Sequence, residues 1–294
     1  MDRNTGDLGW SDEQWSRASK LVQQEAQRAR VAAQFLPIYV QGDTTATAVP
    51  VRAIGLGPNP LPPPPRRILV DNDPTLRLTS LAINVSLTSQ EAGDPEQAAA
   101  LIKLRRAANL IARLEDALIF RGQAGQNQFP PDTGGLTDVL TVWGGGDQPG
   151  LLSTAGWVYA PRAELDPGAN GEDLAARIIE AVGRLEAAGH NRPFACVLGQ
   201  TLYTRLHTPT NAMILPRDRV VPVLEGPLLR SSTLPDAQGV VVALGGAPME
   251  IVVSSELHVR FLQITTEPAF VLRVSERIAL RVTDWTAVAA LHAP

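Results

Sequence analysis

The sequence predicts an α+β fold, and three observations carry that expectation. Two long stretches repeat apolar residues at helical spacing, the final stretch alternates apolar and polar residues as strands do, and a proline-rich segment interrupts the chain between them. With 294 residues, 44% of them hydrophobic and 19% charged, the chain can bury a substantial core without disulfide or metal staples.

Ser11, followed three residues later by Gln14, forms a capping box. It opens a run whose apolar positions Trp15, Ala18, Val22, Ala26, Ala29, Ala33 and Leu36 describe one helical face. That face is mostly alanine, so it buries little area and needs a partner surface close by. From Asp43 to about Thr79, β-branched runs flank "GPNPLPPPP", which proline torsions hold extended. The segment reads as a long projecting arm or as a linker between domains, and the flanking strand-like runs favour the arm. "LAINVSL" alternates Leu81, Ile83, Val85 and Leu87 as a strand. Pro95 to Phe120 then reads as one long helix with a stripe of Leu101, Leu104, Ala108, Ile111, Leu114 and Leu118. About 24 residues at about 1.5 Å each give roughly 36 Å, enough for the spine of a domain, and Gly122 supplies the stop. Further on, "EDLAARIIEAVGRLEAAGH" is a second amphipathic helix, "FACVLG" a buried strand, "TLYTRLH" a short helix and "TPTNAMILPRDRVVP" a loop. The last segment is strand: "GVVVAL", "MEIVV", "LHVRFLQI", then Phe270, Leu272, Val274, Ile278, Leu280 and Val282, with Arg273, Arg277 and Arg281 on the opposite face.

The formal net charge is -4 with acids and bases interspersed, which argues against nucleic acid as a ligand. Lys20 and Lys103 are the only lysines, a bias that genome base composition explains. The single cysteine, Cys196, sits in an apolar run and reads as a buried, inert thiol. Neither a leader pattern nor an apolar stretch of about 18 residues is present, so the expectation is a soluble, cytosolic protein without a membrane partner.

A search for chemistry finds no catalytic constellation. Glu115 and Asp116 are adjacent on a helix and point about 100° apart, so they cannot face one substrate atom. Lying near a helix C-terminus, they oppose its dipole and call for a cationic partner such as Arg113, Arg121 or another subunit's arginine. His190, His207, His258 and His292 show no i, i+4 spacing, so no metal site is expected. "IGLGPNP" meets proline where a dinucleotide loop would open a helix, and Asp71 to Asp73 lack the other ligands of a calcium loop. Ser153, His190 and Asp166 are the residues of a hydrolase reading, which their spacing does not support.

"RRAANLIARLEDALIFRG", "EAAGHNRPFACVLGQTLYTRL", "LEGPLLRSSTLPDAQGVVVALGGAPMEIVVSSELHVRF" and "VLRVSERIALRV", together with the opening "SDEQWSRASKL", resemble the encapsulin family in the same order over nearly the whole chain. The resemblance implies the Hong Kong 97-type phage major capsid fold. On that pattern residues 1–42 form an N-terminal helix and arm, 43–80 an extended loop, 81–155 a peripheral domain with its spine helix at 95–121, 156–248 an axial domain, and 249–294 the returning peripheral strands. It further implies a shell protein, not an enzyme, that assembles with itself into a hollow icosahedron of sixty subunits or a multiple. Such a shell encloses a cargo enzyme, such as a dye-decolorising peroxidase or a ferritin-like protein, through a short targeting peptide. The rival within the same fold is a prophage major capsid protein that packages nucleic acid.

In the family, cargo peptides dock between the N-terminal helix and nearby peripheral strands. The matching stretches, "FLPIYV" and "ELHVRF", contribute Phe35, Ile38, Tyr39, Leu257, Val259 and Phe261. The other reading of the five apolar positions among these is ordinary core. Tyr39 stands where many relatives carry the aspartate of a V-D-V-x-G-P step, so the cargo peptide here is expected to differ. "INVSLTSQEAG" has no aromatic where some relatives hold a flavin, so no cofactor is expected. The five-fold pore loop corresponds to "HTPTNAMILP", where Thr208, Thr210 and Asn211 would form a nearly neutral polar rim.

Overall fold

A computed structural model describes residues 8–56, 68–71, 74–123, 140–146, 148–152, 162–164, 170–210, 214–265 and 269–292. Helix α1 (Asp12–Ala29) starts on the expected capping box, Ser11 Oγ accepting from the Gln14 amide while Gln14 Oε1 accepts from the Ser11 amide. It buries Ala18, Val22 and Ala26. The helical periodicity ran on to Leu36, but α1 stops at Ala29 and a single 3-10 turn, Ala32–Gln34, follows. The reason is a side chain from far along the chain: the Asp116 carboxylate accepts from the Val31 and Ala32 amides at 2.9 and 2.8 Å, taking them out of the helical ladder.

Strand β1 (Ile38–Val40) leads into two short ladders, β2 (Ala48–Pro50) against β5 (Thr75–Arg77) and β3 (Ala53–Leu56) against β4 (Ile68–Asp71). Both are antiparallel, so this segment doubles back on itself as an arm does; the proline run between β3 and β4 lies outside the described residues. β6 (Thr79–Thr88) and the short α2 (Ser89–Ala92) precede α3 (Ala98–Arg121), the long spine. Gly122 ends α3 with φ of 75°, its amide bonded to the Leu118 carbonyl at 2.9 Å.

β7 (Leu140–Gly144), β8 (Arg162–Glu164), α4 (Gly171–Ala187), β9 (Phe194–Leu198) and α5 (Gln200–His207) follow. Next comes α6 (Pro216–Leu224), in a stretch read from sequence as loop. Pro216 stands in the first turn, where its missing N–H costs nothing, and Val220 and Leu224 are buried, so a helix forms despite Pro222. The chain closes with β10 (Leu228–Arg230), β11 (Gln238–Ala243), β12 (Met249–Ile264), β13 (Ala269–Val282) and β14 (Val288–His292).

Two five-stranded sheets result, in the orders β1-β12-β13-β6-β7 and β10-β9-β11-β14-β8. The first is covered on one face by α1 and α3 through Val22, Leu104, Ile111, Leu272 and Val274. The second is covered by α4, α5 and α6 through Leu174, Ile178, Leu206 and Leu224. Long strands tie the two cores together, because β12 and β13 give Ile251, Leu280 and Val282 to the second core and Leu257, Leu272 and Ile278 to the first. One expectation is corrected: 249–294 do not all return to the first sheet. β14 pairs with β11 from Gln238↔His292 to Val242↔Val288, because its run Val288–Leu291 is apolar on both faces and is buried in the second core.

Candidate functional site

The adjacent acids of the spine helix are both buried, Glu115 being 2% and Asp116 1% exposed. Their partners come from α1's end and from β13, not from the arginines near them in sequence. Arg30 Nε lies 2.5 Å from Glu115, and its guanidinium also donates to Glu276, which is 2% exposed. Burial pushes the Glu115 carboxyl above its usual range, and Arg30 works against that shift. Glu276 is pushed well above its usual value by burial and then by the charge of Glu115. Arg30 is raised: burial disfavours its charge, but the fields of Glu276 and Glu115 prevail. Asp116 is raised to about 7 by burial, against the pull of the Ala32 and Val31 amides. One cation thus faces more buried acid than it can balance, and the cluster pins the turn from α1 to β1 onto α3 and β13.

That pinned turn builds a groove. β1 runs parallel to β12 in the register Ile38↔Ile251, Tyr39↔Val252, Val40↔Val253, and forms the sheet's edge. All three β1 residues are exposed, Ile38 at 50%, Tyr39 at 44% and Val40 at 55%. Pairing ends where the Gln41 amide meets the Val253 carbonyl at 2.7 Å. Just beyond, β12 carries extra residues between Val253 and Ser255 and again between Ser255 and His258. Such bulges bend a strand and re-aim its side chains. The cavity has a volume of about 450 Å³, and Gln23 and Gln27 of α1, Arg30, Gln34, Ile38, Val40, Val253, Glu256 and Leu257 line it.

Of the residues expected for peptide docking, the structure brings together Ile38 and Leu257, although Leu257 is 3% exposed and also belongs to the first core. Phe35 is buried in the second core, its ring 6.4 Å from that of Phe120. Tyr39 points to the opposite face of the sheet, where the Arg281 guanidinium lies 4.8 Å from its ring centre. Val259 is buried in the first core and Phe261 packs partly against it. Sequence matching missed Val40, which shares Ile38's face by simple alternation, and Gln23, Gln27 and Glu256, whose placement depends on helix packing and on the bulges.

In the expected pore loop, Thr208 donates from Oγ1 to the Thr204 carbonyl at 2.9 Å, and Thr210 donates to Glu172 at the start of α4 at 3.0 Å. Asn211 lies outside the described residues, as do Ser153 and Asp166. His190 is engaged with Thr286 Oγ1 at 2.9 Å, His207 is bonded to the Tyr203 carbonyl and Arg217, and His258 is bonded to the Glu256 carbonyl. Cys196 is fully buried, and burial pushes its thiol far up. Among the described residues no group of three or more His, Cys, Asp or Glu could hold a metal ion, and no helix is long and apolar enough to cross a membrane.

Two joined sheets, a spine helix and a doubled-back arm are the Hong Kong 97-type capsid fold, and solved structures match it throughout. The virus-like particle of Pyrococcus furiosus superposes with a TM-score of 0.68 at 13% identity, covering 95% of this chain and 99% of that one. A structure from Mycobacterium phage Bobi gives 0.62 at 18% identity, with 90% of each chain covered. The holo-SrpI encapsulin complex of Synechococcus elongatus gives 0.56 at 14%, covering 88% of this chain and 85% of that one.

Sequence narrows the class. The family described as "Encapsulating protein for peroxidase" matches residues 143–279. The type 1 encapsulin shell protein EncA of Myxococcus xanthus is 28% identical over 192 residues, which are 63% of this chain and 57% of that protein's length. The chain is thus similar in sequence to encapsulin shell proteins over part of its length, and similar in fold to an encapsulin and to phage structures alike.

Proposed function

We propose that this chain is the shell subunit of an encapsulin nanocompartment, assembling with copies of itself into a hollow icosahedron of sixty subunits or a multiple. The observation that carries the reading is the capsid fold with its doubled-back arm, joined to sequence similarity to encapsulin shells. An extended arm spreads contact with a neighbour beyond one compact face, and closed symmetry repeats each contact many times. In this reading the first sheet with α1 and α3 is the peripheral domain, the second sheet with α4 to α6 the axial domain, and residues 43–80 the extended loop. Thr208 and Thr210 stand in the loop that would rim a five-fold pore.

The groove beside α1 holds the targeting peptide of a cargo enzyme, a peroxidase or ferritin-like protein, inside a cytoplasmic shell that has no turnover of its own. Support for the groove comes from its exposed edge strand and apolar lining of Ile38, Val40 and Leu257. Light scattering and the 260/280 nm absorbance ratio of the purified protein test the assignment. A single megadalton-scale species with a protein-like ratio is expected. A small oligomer contradicts the shell, and a particle filled with nucleic acid favours the prophage capsid.

A further inference from the structure

Arg273, Arg277 and Arg281 share the face of the first sheet turned away from α1 and α3. Arg281 is paired with Glu250, its Nη2 lying 2.6 Å from the carboxylate. The other two have only neutral partners among the described residues. Arg273 donates to the Asn84 side chain at 2.9 Å, and Arg277 donates from Nε to Ser80 Oγ at 2.9 Å and from Nη1 to the Thr45 and Ala46 carbonyls at 3.4 and 3.1 Å. Arg277 faces a cleft of about 330 Å³ where the base of the arm meets this sheet. Val49 and Leu78 pack on Val252 and Ala279 and fix the arm's base there. Arg77, at the end of β5, lines the cleft from the arm side, and its side chain makes no ion pair or hydrogen bond among the described residues. Ser80 and Thr47 add hydroxyls, Trp143 forms a wall, and the lining contains no acid.

We infer that this cleft binds a phosphate group, free or at the end of a monoester, between Arg77 and Arg277. Two guanidiniums that share a cleft without an acid repel each other, and an anion between them replaces that repulsion with charge-assisted hydrogen bonds. A guanidinium presents a planar fork of donors that matches phosphate. Arg277 is already oriented for this, because Ser80 and the arm hold Nε and Nη1 while Nη2 has no hydrogen-bond partner among the described residues. A phosphate, with three acceptor oxygens and close to two charges, satisfies two forks and a hydroxyl together; a carboxylate has one charge and two oxygens to share. The bound group also ties the arm to β13, since Arg77 belongs to one and Arg277 to the other. Gly144 and Gly145 line the cleft with φ of 82° and 77°, so no side chain of the turn after Trp143 fills it.

Equilibrium dialysis of the purified full-length protein against labelled inorganic phosphate, AMP and adenosine, at constant ionic strength, tests the site. Phosphate and AMP should be retained saturably and adenosine should not. Arg77→Gln should weaken both by about ten-fold, the effect of one lost charge-assisted contact. Arg77 is exposed and its side chain holds no described neighbour, so the variant keeps the fold. Thermal unfolding gives a second readout: phosphate should raise the midpoint of wild type more than that of Arg77→Gln, whereas general salting raises both alike. AMP held tighter than phosphate, with the excess lost in Trp143→Leu, assigns a monoester, and equal retention assigns the free ion. No saturable retention, adenosine held as well as AMP, or phosphate binding unmoved by Arg77→Gln overturns the inference.

Discussion

Asp116 shows how one side chain sets the geometry of a site it does not line. Its Oδ1 accepts from both the Val31 and Ala32 amides, and its carboxyl titrates at about 7 rather than near 3.8 because burial disfavours the charge. A raised folded-state value means that, between about pH 4 and pH 7, the folded chain holds a proton that the unfolded chain has released. Stability from this group therefore falls as pH rises through that window and is level above it. Asp116→Asn keeps an oxygen for both amides and removes the titration, so its unfolding midpoint in urea should decline less than wild type between pH 4 and 7. Parallel declines would contradict the role given to Asp116. The sequence called for a cationic partner to Glu115 and Asp116, since acids near a helix C-terminus oppose its dipole, and Arg30 is that partner for Glu115. It could not tell that Arg30 and Glu276 are their partners, because no local period links positions so far apart in the chain.

Elements with strong periodicity were legible: the spine helix, β6, and the alternation of β13 all lie where the apolar pattern put them. The stop at Gly122 was legible too, and its neighbours explain why glycine is required. With φ of 75°, a Cβ there would lie 2.4 Å from the Gln148 carbonyl oxygen and 2.5 Å from the Gly150 amide, both backbone. Gly122→Ala should cost about 1–3 kcal/mol in thermal or urea unfolding, the range for a strained left-handed residue. A change within about 0.5 kcal/mol, as at an unremarkable surface site, would mean that the turn relaxes freely. Less legible were α6, where two prolines masked a helix held by buried Val220 and Leu224, and the early end of α1. The groove was half legible. Alternation places Ile38 and Val40 on one face, but the bulges that bring Glu256 to the lining depend on pairing with β13 and leave no mark in the β12 sequence alone.

At the scale of the whole molecule, β12 and β13 serve both cores, so the two sheets share their longest strands rather than a flexible linker. That continuity suits a subunit whose edges must keep a fixed angle to many neighbours, because a bend between the sheets would change the curvature of a closed shell. The fold and the similarity to encapsulins were legible from ordered segments spread along the chain, whereas the return of β14 to the second sheet was not. Its apolar run would suit either sheet, and only the fold decides between them. The central claim is assembly, and electron microscopy of the protein expressed alone tests it most directly. Uniform hollow particles with icosahedral symmetry are the predicted result; monomers, small rings or open sheets would contradict the account.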